Sequence, residues 1–391
     1  MNKRTIDIDS AFPGGNVRVV AIDEDAGLVS VTPDSSPARG DWFWFYFRVR
    51  GAGGRTLRFD FGNPKGEFVG PLGPAVSTDG GATWTWLQPS GGVPGDHFDY
   101  AFPSGAGEVR FAHGIPYNEA EWRAFAATLP STPRVRKGIL CKSQSGRRDV
   151  EMLTVEPRPG ATPDWLFAFT ARHHCCEVSA NPVMEGFIEE SLSDTPEGRW
   201  LAANARCLFI PFMDKDGCEQ GDQGKNRAPH DPNRDYVEGH YASVRAFKRL
   251  LAEMAAGRKI LFIDLHSPWS RTNEHEWYYS LGPDNPARPE LDARWRRFRE
   301  ELAKAVADGP LAYEPKWDIP GGVGYNLSSR MGTSSCAWCD SLPNTWCSFC
   351  MEFGYGLCGG VFTRERGRDL GRRCMRAAVR ATAMPDVLTS R

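Results

Sequence analysis

Trp165-Leu166-Phe167-Ala168-Phe169-Thr170 runs without interruption into Ala171-Arg172-His173-His174-Cys175-Cys176-Glu177. Six uncharged residues, mostly large and apolar and with no turn former, read as a strand buried on both faces. The pattern recurs downstream. Residues 205–212 form a second such run, and Lys259-Ile260-Leu261-Phe262-Ile263-Asp264-Leu265 forms a third. Helical patterns lie between and beyond them, at residues 181–190, 240–256, 289–307 and 367–383. Apolar strands interleaved with helices predict an α/β sheet covered on both sides.

Upstream the texture changes. Asp41-Trp42-Phe43-Trp44-Phe45-Tyr46-Phe47-Arg48-Val49 is a dense aromatic run, and Thr56-Leu57-Arg58-Phe59-Asp60-Phe61 alternates with period two. Asp79-Gly80-Gly81 separates residues 74–77 from residues 83–87 as a hairpin turn would, and residues 108–112 close the series. Short strands at close spacing with Gly and Pro turns predict an antiparallel β-sandwich. Residues 118–129 then read as a helix with Asn118 as N-cap and Trp122, Phe125 and Ala126 on one face. The expected division is a β-sandwich domain at 1–129 and an α/β domain at 130–391.

Composition excludes some partners. The 391 residues carry 47 basic and 49 acidic side chains, a net charge of −2, so no electrostatic footprint for nucleic acid or an anionic membrane is expected. No stretch approaches the run of about 20 apolar residues that a membrane span needs. The basic N-terminus lacks an apolar segment behind it, which predicts a cytoplasmic protein if the chain is whole. Eleven cysteines, an odd count, are expected to be mostly free thiols.

Chemistry concentrates where the buried strands end. His174 and Glu177 leave the first of these runs, and the third delivers His266. Carboxyl ends of neighbouring strands are where open α/β sheets place their sites. Two imidazoles and one carboxylate leave a fourth position for water, the arrangement of catalytic zinc. Between them lies a polar loop, Gly224-Lys225-Asn226-Arg227 followed by Asp231-Pro232-Asn233-Arg234-Asp235-Tyr236. Adjacent Asn and Arg suit capture of a carboxylate. Trp346-Cys347-Ser348-Phe349-Cys350-Met351-Glu352 ends an apolar strand on a lone carboxylate, a candidate general base.

Taken in order, these blocks resemble the M14 zinc carboxypeptidases over roughly residues 135–391. The resemblance implies a mixed central sheet and one Zn²⁺ held by His174, Glu177 and His266. It gives Asp231 the task of orienting His174, and Asn233 and Arg234 that of holding a substrate's C-terminal carboxylate. Arg227 would stabilise the oxyanion, and Glu352 would deprotonate the attacking water and protonate the leaving amine. Ser10-Ala11-Phe12-Pro13-Gly14-Gly15-Asn16, the run from Trp42 to Phe47, Gly62-Asn63-Pro64-Lys65 and Ile115-Pro116-Tyr117 are similar to the β-domain of the cytosolic carboxypeptidase subgroup.

The sequence departs from that pattern in three places. Cys175 and Cys176 stand where the family has Pro-Gly. The Arg that follows Gly-Thr in glutamate-trimming relatives has no counterpart after Gly332-Thr333, where Ser334, Ser335 and Cys336 follow. Tyr325 is the candidate for the family's mobile tyrosine. The expected substrate is a peptide or protein C-terminus. Two alternatives stay open: an amide hydrolase of the same fold acting on N-acyl amino acids or cell-wall peptides, and an inactive peptide-binding relative. Cys336-x-x-Cys339 and Cys347-x-x-Cys350 read as buried thiols, since strand residues three apart point to opposite faces. His173 reads as a packing neighbour, and His230 as an exposed side chain beside Asp231.

Overall fold

The computed structural model describes residues 5–35, 43–62, 68–88, 90–92, 95–225, 227–270 and 274–383. Asp41, Trp42, Asn63, Pro64, Lys65 and Asn226 lie outside the described residues. The N-terminal strands are β1 (Asp7–Asp9), β2 (Arg18–Asp23), β3 (Leu28–Thr32), β4 (Tyr46–Arg50), β5 (Thr56–Asp60), β6 (Ala75–Ser77), β7 (Thr85–Trp86), β8 (His97–Ala101) and β9 (Glu108–Ala112). Helix α1 (Glu119–Thr128) follows. Next come β10 (Val135–Lys142), β11 (Asp149–Val155), β12 (Trp165–Ala171), α2 (Ala180–Leu192), α3 (Pro196–Asn204), β13 (Ala205–Ile210), α4 (Lys215–Gln220) and α5 (Ala242–Met254). The chain ends through β14 (Lys259–His266), β15 (Tyr278–Leu281), α6 (Pro289–Val306), α7 (Ser328–Met331), α8 (Ser335–Asp340), β16 (Thr345–Phe353) and α9 (Arg364–Ala383).

The central sheet has the order β10-β11-β13-β12-β14-β16-β15. Its middle strands β13, β12, β14 and β16 are parallel, while β10, β11 and β15 join antiparallel at the edges. This is the expected mixed sheet. β12 shows why its strands are apolar throughout: Phe167 and Phe169 join the core containing α2 and α9, while Leu166 and Ala168 join the core containing α5. Helices α2 and α9 cross closely at two glycines. A Cβ on Gly186 would stand 2.0 Å from the Arg368 carbonyl oxygen, and one on Gly371 2.0 Å from that of Val183. No side chain fits there.

Two smaller sheets, β1-β4-β9-β6-β7 and β2-β3-β5-β8, make up the N-terminal region. Pairing is antiparallel except between β3 and β5, which run parallel. Their shared core is aromatic, with Phe45, Phe47, Phe59, Phe98 and Phe111 fully buried or nearly so. The aromatic run at residues 43–49 serves two cores, alternating from Trp44 onward. Phe45, Phe47 and Val49 face the small sheets, whereas Phe43, Trp44 and Tyr46 pack with the residues of the central sheet. Only Tyr46 onward is strand, as β4. The predicted hairpin is β6–β7, and α1 carries the predicted Asn118 cap as a full capping box with Glu121.

Polar bonds cross between the small sheets and the loop after α4. The Gln223 carboxamide accepts from the Trp44 backbone N–H at 2.5 Å and donates to the Trp44 carbonyl at 2.7 Å. The Asn16 side chain donates to the Gly221 carbonyl at 2.7 Å. Among the described residues, no helix is long and apolar enough to cross a membrane.

Candidate active site

Register brings the site together. Ala171 on β12 lies beside Leu265 on β14, and His266 lies beside Glu352 on β16. The carboxyl ends of three adjacent parallel strands therefore open at one place. At the end of β12 the chain turns sharply, and Arg172 takes a left-handed backbone conformation (φ 62°) rare for a side chain of its size. Its buried guanidinium compensates by bracing the turn. Nε donates to the Cys175 carbonyl at 2.8 Å, and Nη1 donates to the Tyr117 carbonyl and Asn181 Oδ1 at 2.8 Å each. Cys175 and Cys176 are both 1% exposed and fill the turn between the two expected ligands.

The turn presents His174 and Glu177 to His266. Nδ1 of His174 lies 2.8 Å from Glu177 Oε1, and Nδ1 of His266 lies 2.7 Å from Glu177 Oε2. One ligand atom from each residue lies within 4.8 Å of the others. Burial opposes charge on all three groups, yet their mutual attraction prevails. Glu177 is pulled down to about 2 by the two imidazoles, and both imidazoles are raised by the carboxylates around them. Two ring nitrogens and a carboxylate, aimed at one another, form a donor set that fits a divalent cation.

The far nitrogens are also fixed. His174 Nε2 lies 3.0 Å from Asp231 Oδ1, and His266 Nε2 lies 2.9 Å from Asp264 Oδ2. Attraction to His174 outweighs burial and holds Asp231 far below the usual carboxylate range. Asp264 was not anticipated from sequence. It also accepts hydrogen bonds from Thr170 Oγ1 at 2.6 Å and Ser335 Oγ at 2.5 Å, and it lies 2.9 Å from His173 Nδ1. His173 is thus more than a packing neighbour, since its Nε2 lies 2.8 Å from the Tyr236 hydroxyl. His173, Asp264 and His266 form a second compact group, in which the carboxylate is already engaged by the two hydroxyls. A third group, His230, Asp235 and His240, lies nearer the surface. There Asp235 accepts from the backbone N–H groups of His240 and Tyr241, and His230 is only half-exposed.

Glu352 stands beside this centre. Its Oε2 is buried without a partner, and Oε1 meets the Cys350 thiol at 3.7 Å. Burial, only partly countered by His266, raises its carboxyl to about 7. The Tyr325 hydroxyl lies 2.9 Å from that of Tyr279. Burial first, and then the charge of Glu352, raise the pKa of both phenols. Tyr279 was missed from sequence, although its strand β15 pairs it with Glu352.

The polar loop gives a mixed outcome. Arg234 is half-exposed, donating to the Asn233 carbonyl at 3.0 Å and lying 3.1 Å from Met331 Sδ. Asn233 is buried, with Nδ2 3.0 Å from His266 Nε2 and Oδ1 accepting from the Ser335 N–H at 3.0 Å. Its amide therefore engages protein groups. Arg227 is ion-paired, through Nε to Asp222 at 2.7 Å and through Nη1 to Asp214 at 2.8 Å. Neither aspartate was read as a partner from sequence. The cysteines are free, and none of Cys336, Cys339, Cys347 or Cys350 joins a group able to hold a metal among the described residues.

Residues 8–86 match the family model described as the cytosolic carboxypeptidase N-terminal domain. Mouse cytosolic carboxypeptidase 3 is 24% identical over 404 residues, covering 94% of this chain. This chain is similar to the cytosolic carboxypeptidases of the M14 family. It spans only 38% of the length of that mouse relative. An uncharacterised protein of Zymomonas mobilis is 25% identical over 334 residues, 83% of this chain and 84% of that protein. The fold is that of the metallo-carboxypeptidase from Burkholderia cenocepacia, whose crystal structure superposes with a TM-score of 0.76 at 19% identity. The match covers 97% of this chain and 99% of that one. His174, Glu177 and His266 form a buried group that could hold a metal ion.

Proposed function

We propose that this chain is a zinc carboxypeptidase, removing the C-terminal residue of a peptide or protein tail by hydrolysis. The observation that carries the reading is the convergence of His174, Glu177 and His266, with Glu352 in register beside His266 and one of its oxygens unpartnered. When bound, zinc supplies Lewis acidity to the carbonyl and lowers the pKa of water.

The remaining work belongs to the chain's own groups. Arg234 receives the substrate's terminal carboxylate, while Asn233, held by the Ser335 N–H and standing beside His266, frames the same subsite. Arg227, oriented by Asp214 and Asp222, stabilises the negative charge that develops on the carbonyl oxygen. Glu352 takes a proton from the attacking water and returns it to the departing amine nitrogen. Tyr325 closes over the bond being cut. Residues 1–129 form the N-terminal domain and 130–391 the catalytic one. This division is supported by all strands of the small sheets preceding Asn118 and all strands of the central sheet following it. Unpaired buried thiols favour a reducing compartment, the cytoplasm.

The test compares peptides with free and amidated C-termini. Free peptides are expected to lose their last residue, and chelator or Glu352→Gln should abolish this, the latter by about 100-fold or more. Equal cleavage of amidated peptides would remove Arg234 and Asn233 from their roles. Cleavage confined to N-acyl amino acids would point to a small-amide hydrolase instead.

A further inference from the structure

Beside the triad lies a cavity of about 90 Å³ between α8, β16 and the loop after β15. Two of its lining residues touch the catalytic centre. Cys350 meets Glu352, and Asn233 meets His266, at 3.7 and 3.0 Å. Met331, which also lines it, is the residue against which the Arg234 guanidinium rests. A peptide whose terminal carboxylate sits on Arg234 would therefore direct its last side chain here. At roughly 10–15 Å³ per water-sized group, the space takes a chain of six or so heavy atoms.

The charge of the lining decides what that side chain is. Asp340 and Asp284 both line the cavity, and no Lys or Arg does among the described residues. Asp340 is 4% exposed, and Ser348 Oγ is the one donor to its carboxylate among those residues, at 2.6 Å on Oδ1. The Arg288 guanidinium, whose charge reaches the Asp340 carboxylate, spends its hydrogen bonds on the backbone carbonyls of Asp340, Leu342 and Thr345 and on Glu290. A buried carboxylate without a bonded counter-charge is costly. Resting on the carboxypeptidase reading above, we infer that this cavity selects a cationic C-terminal residue, lysine or arginine, with Asp340 as its counter-ion. Burial, against the pull of the Ser348 hydroxyl and the charge of Arg288, raises the Asp340 carboxyl to about 7.

The test uses one peptide sequence ending in Lys, Arg, Ala, Leu or Glu. The value of kcat/KM for Lys and Arg is expected to exceed that for Ala by roughly 10- to 100-fold, the usual worth of a charge-assisted bond, with Glu lowest. In Asp340→Asn the Lys-to-Ala ratio should fall toward one. The panel on the unaltered protein decides the matter by itself should that variant not fold. Preference for Glu or Leu over Lys, or an unchanged ratio in the variant, overturns the inference while leaving carboxypeptidase activity intact. If no peptide is cleaved, the carboxypeptidase reading falls. Calorimetric binding of the same peptides to the zinc-loaded Glu352→Gln protein then judges the pocket: tighter binding of Lys than of Ala and Glu upholds it, and any other order refutes it.

Discussion

Oδ2 of Asp264 lies 2.9 Å from Nε2 of His266, two residues along the same strand. Residues two apart on a strand share a face, so β14 delivers an imidazole together with the carboxylate that orients it. Asp264→Asn should therefore weaken metal binding by roughly 10- to 100-fold, the usual cost of losing such a partner. Competition with a chromophoric chelator measures this. Asp231→Asn, acting on His174, should do the same. Unchanged affinity in both would mean that the rings are held by packing alone.

Removing the metal should also lower thermal stability. Ligand present at 100 times its dissociation constant stabilises a site by about 2.7 kcal/mol. The melting temperature should accordingly rise with added zinc and fall with chelator, and metal analysis should return about one ion per chain. A melting curve indifferent to both would count against the triad as a binding site.

Gly224 should tolerate no side chain. It has a positive φ of 95°, and an added Cβ would stand 2.8 Å from the Cys175 nitrogen and 2.9 Å from His174 Cβ. The turn bearing the first ligand would have to move. Gly224→Ala is expected to cost about 1–3 kcal/mol and to weaken metal binding as well. Chemical denaturation and chelator competition check the two effects. A neutral result would show that the loop can withdraw freely.

On α2, Glu185 provides a pH signature. It accepts from the Tyr117 hydroxyl at 2.6 Å, and burial raises its carboxyl from 4.5 to about 7 despite that bond and nearby Arg368. The folded chain therefore holds a proton that the unfolded chain releases, and stability falls as pH rises from about 4.5 to 7. The loss is at most about 3 kcal/mol at 1.36 kcal/mol per pKa unit. Glu185→Gln should flatten that slope, as denaturation at pH 5 and pH 8 would reveal.

Where one effect dominated, the sequence was legible. β12, β14 and β16 are buried on both faces, so their apolar runs stand out. The α1 boundary was set by a capping box of adjacent residues. β10 was not read because it is a half-exposed edge strand whose Arg136, Lys137 and Lys142 mask any alternation. Strand β2 is mostly exposed, and only Val19 breaks that exposure. The side chains of His174, Glu177 and His266 come together at the carboxyl ends of β12 and β14. The partners of Arg227 did not emerge, because Asp214 and Asp222 reach it through loop geometry rather than through any periodic pattern. Asp264 left one usable signal: a lone carboxylate in an apolar run, two places before a histidine.

The seam between Gln223 and Trp44 is chemically one-sided. At residue 44 it engages only the peptide group, whereas at residue 223 it needs a carboxamide that donates and accepts at once. Drift at position 44 leaves the joint intact provided that the new side chain packs, while drift at position 223 undoes it. Any chimera that exchanges the front third of this chain for a relative's must therefore match the main-chain path there, and may ignore the letter.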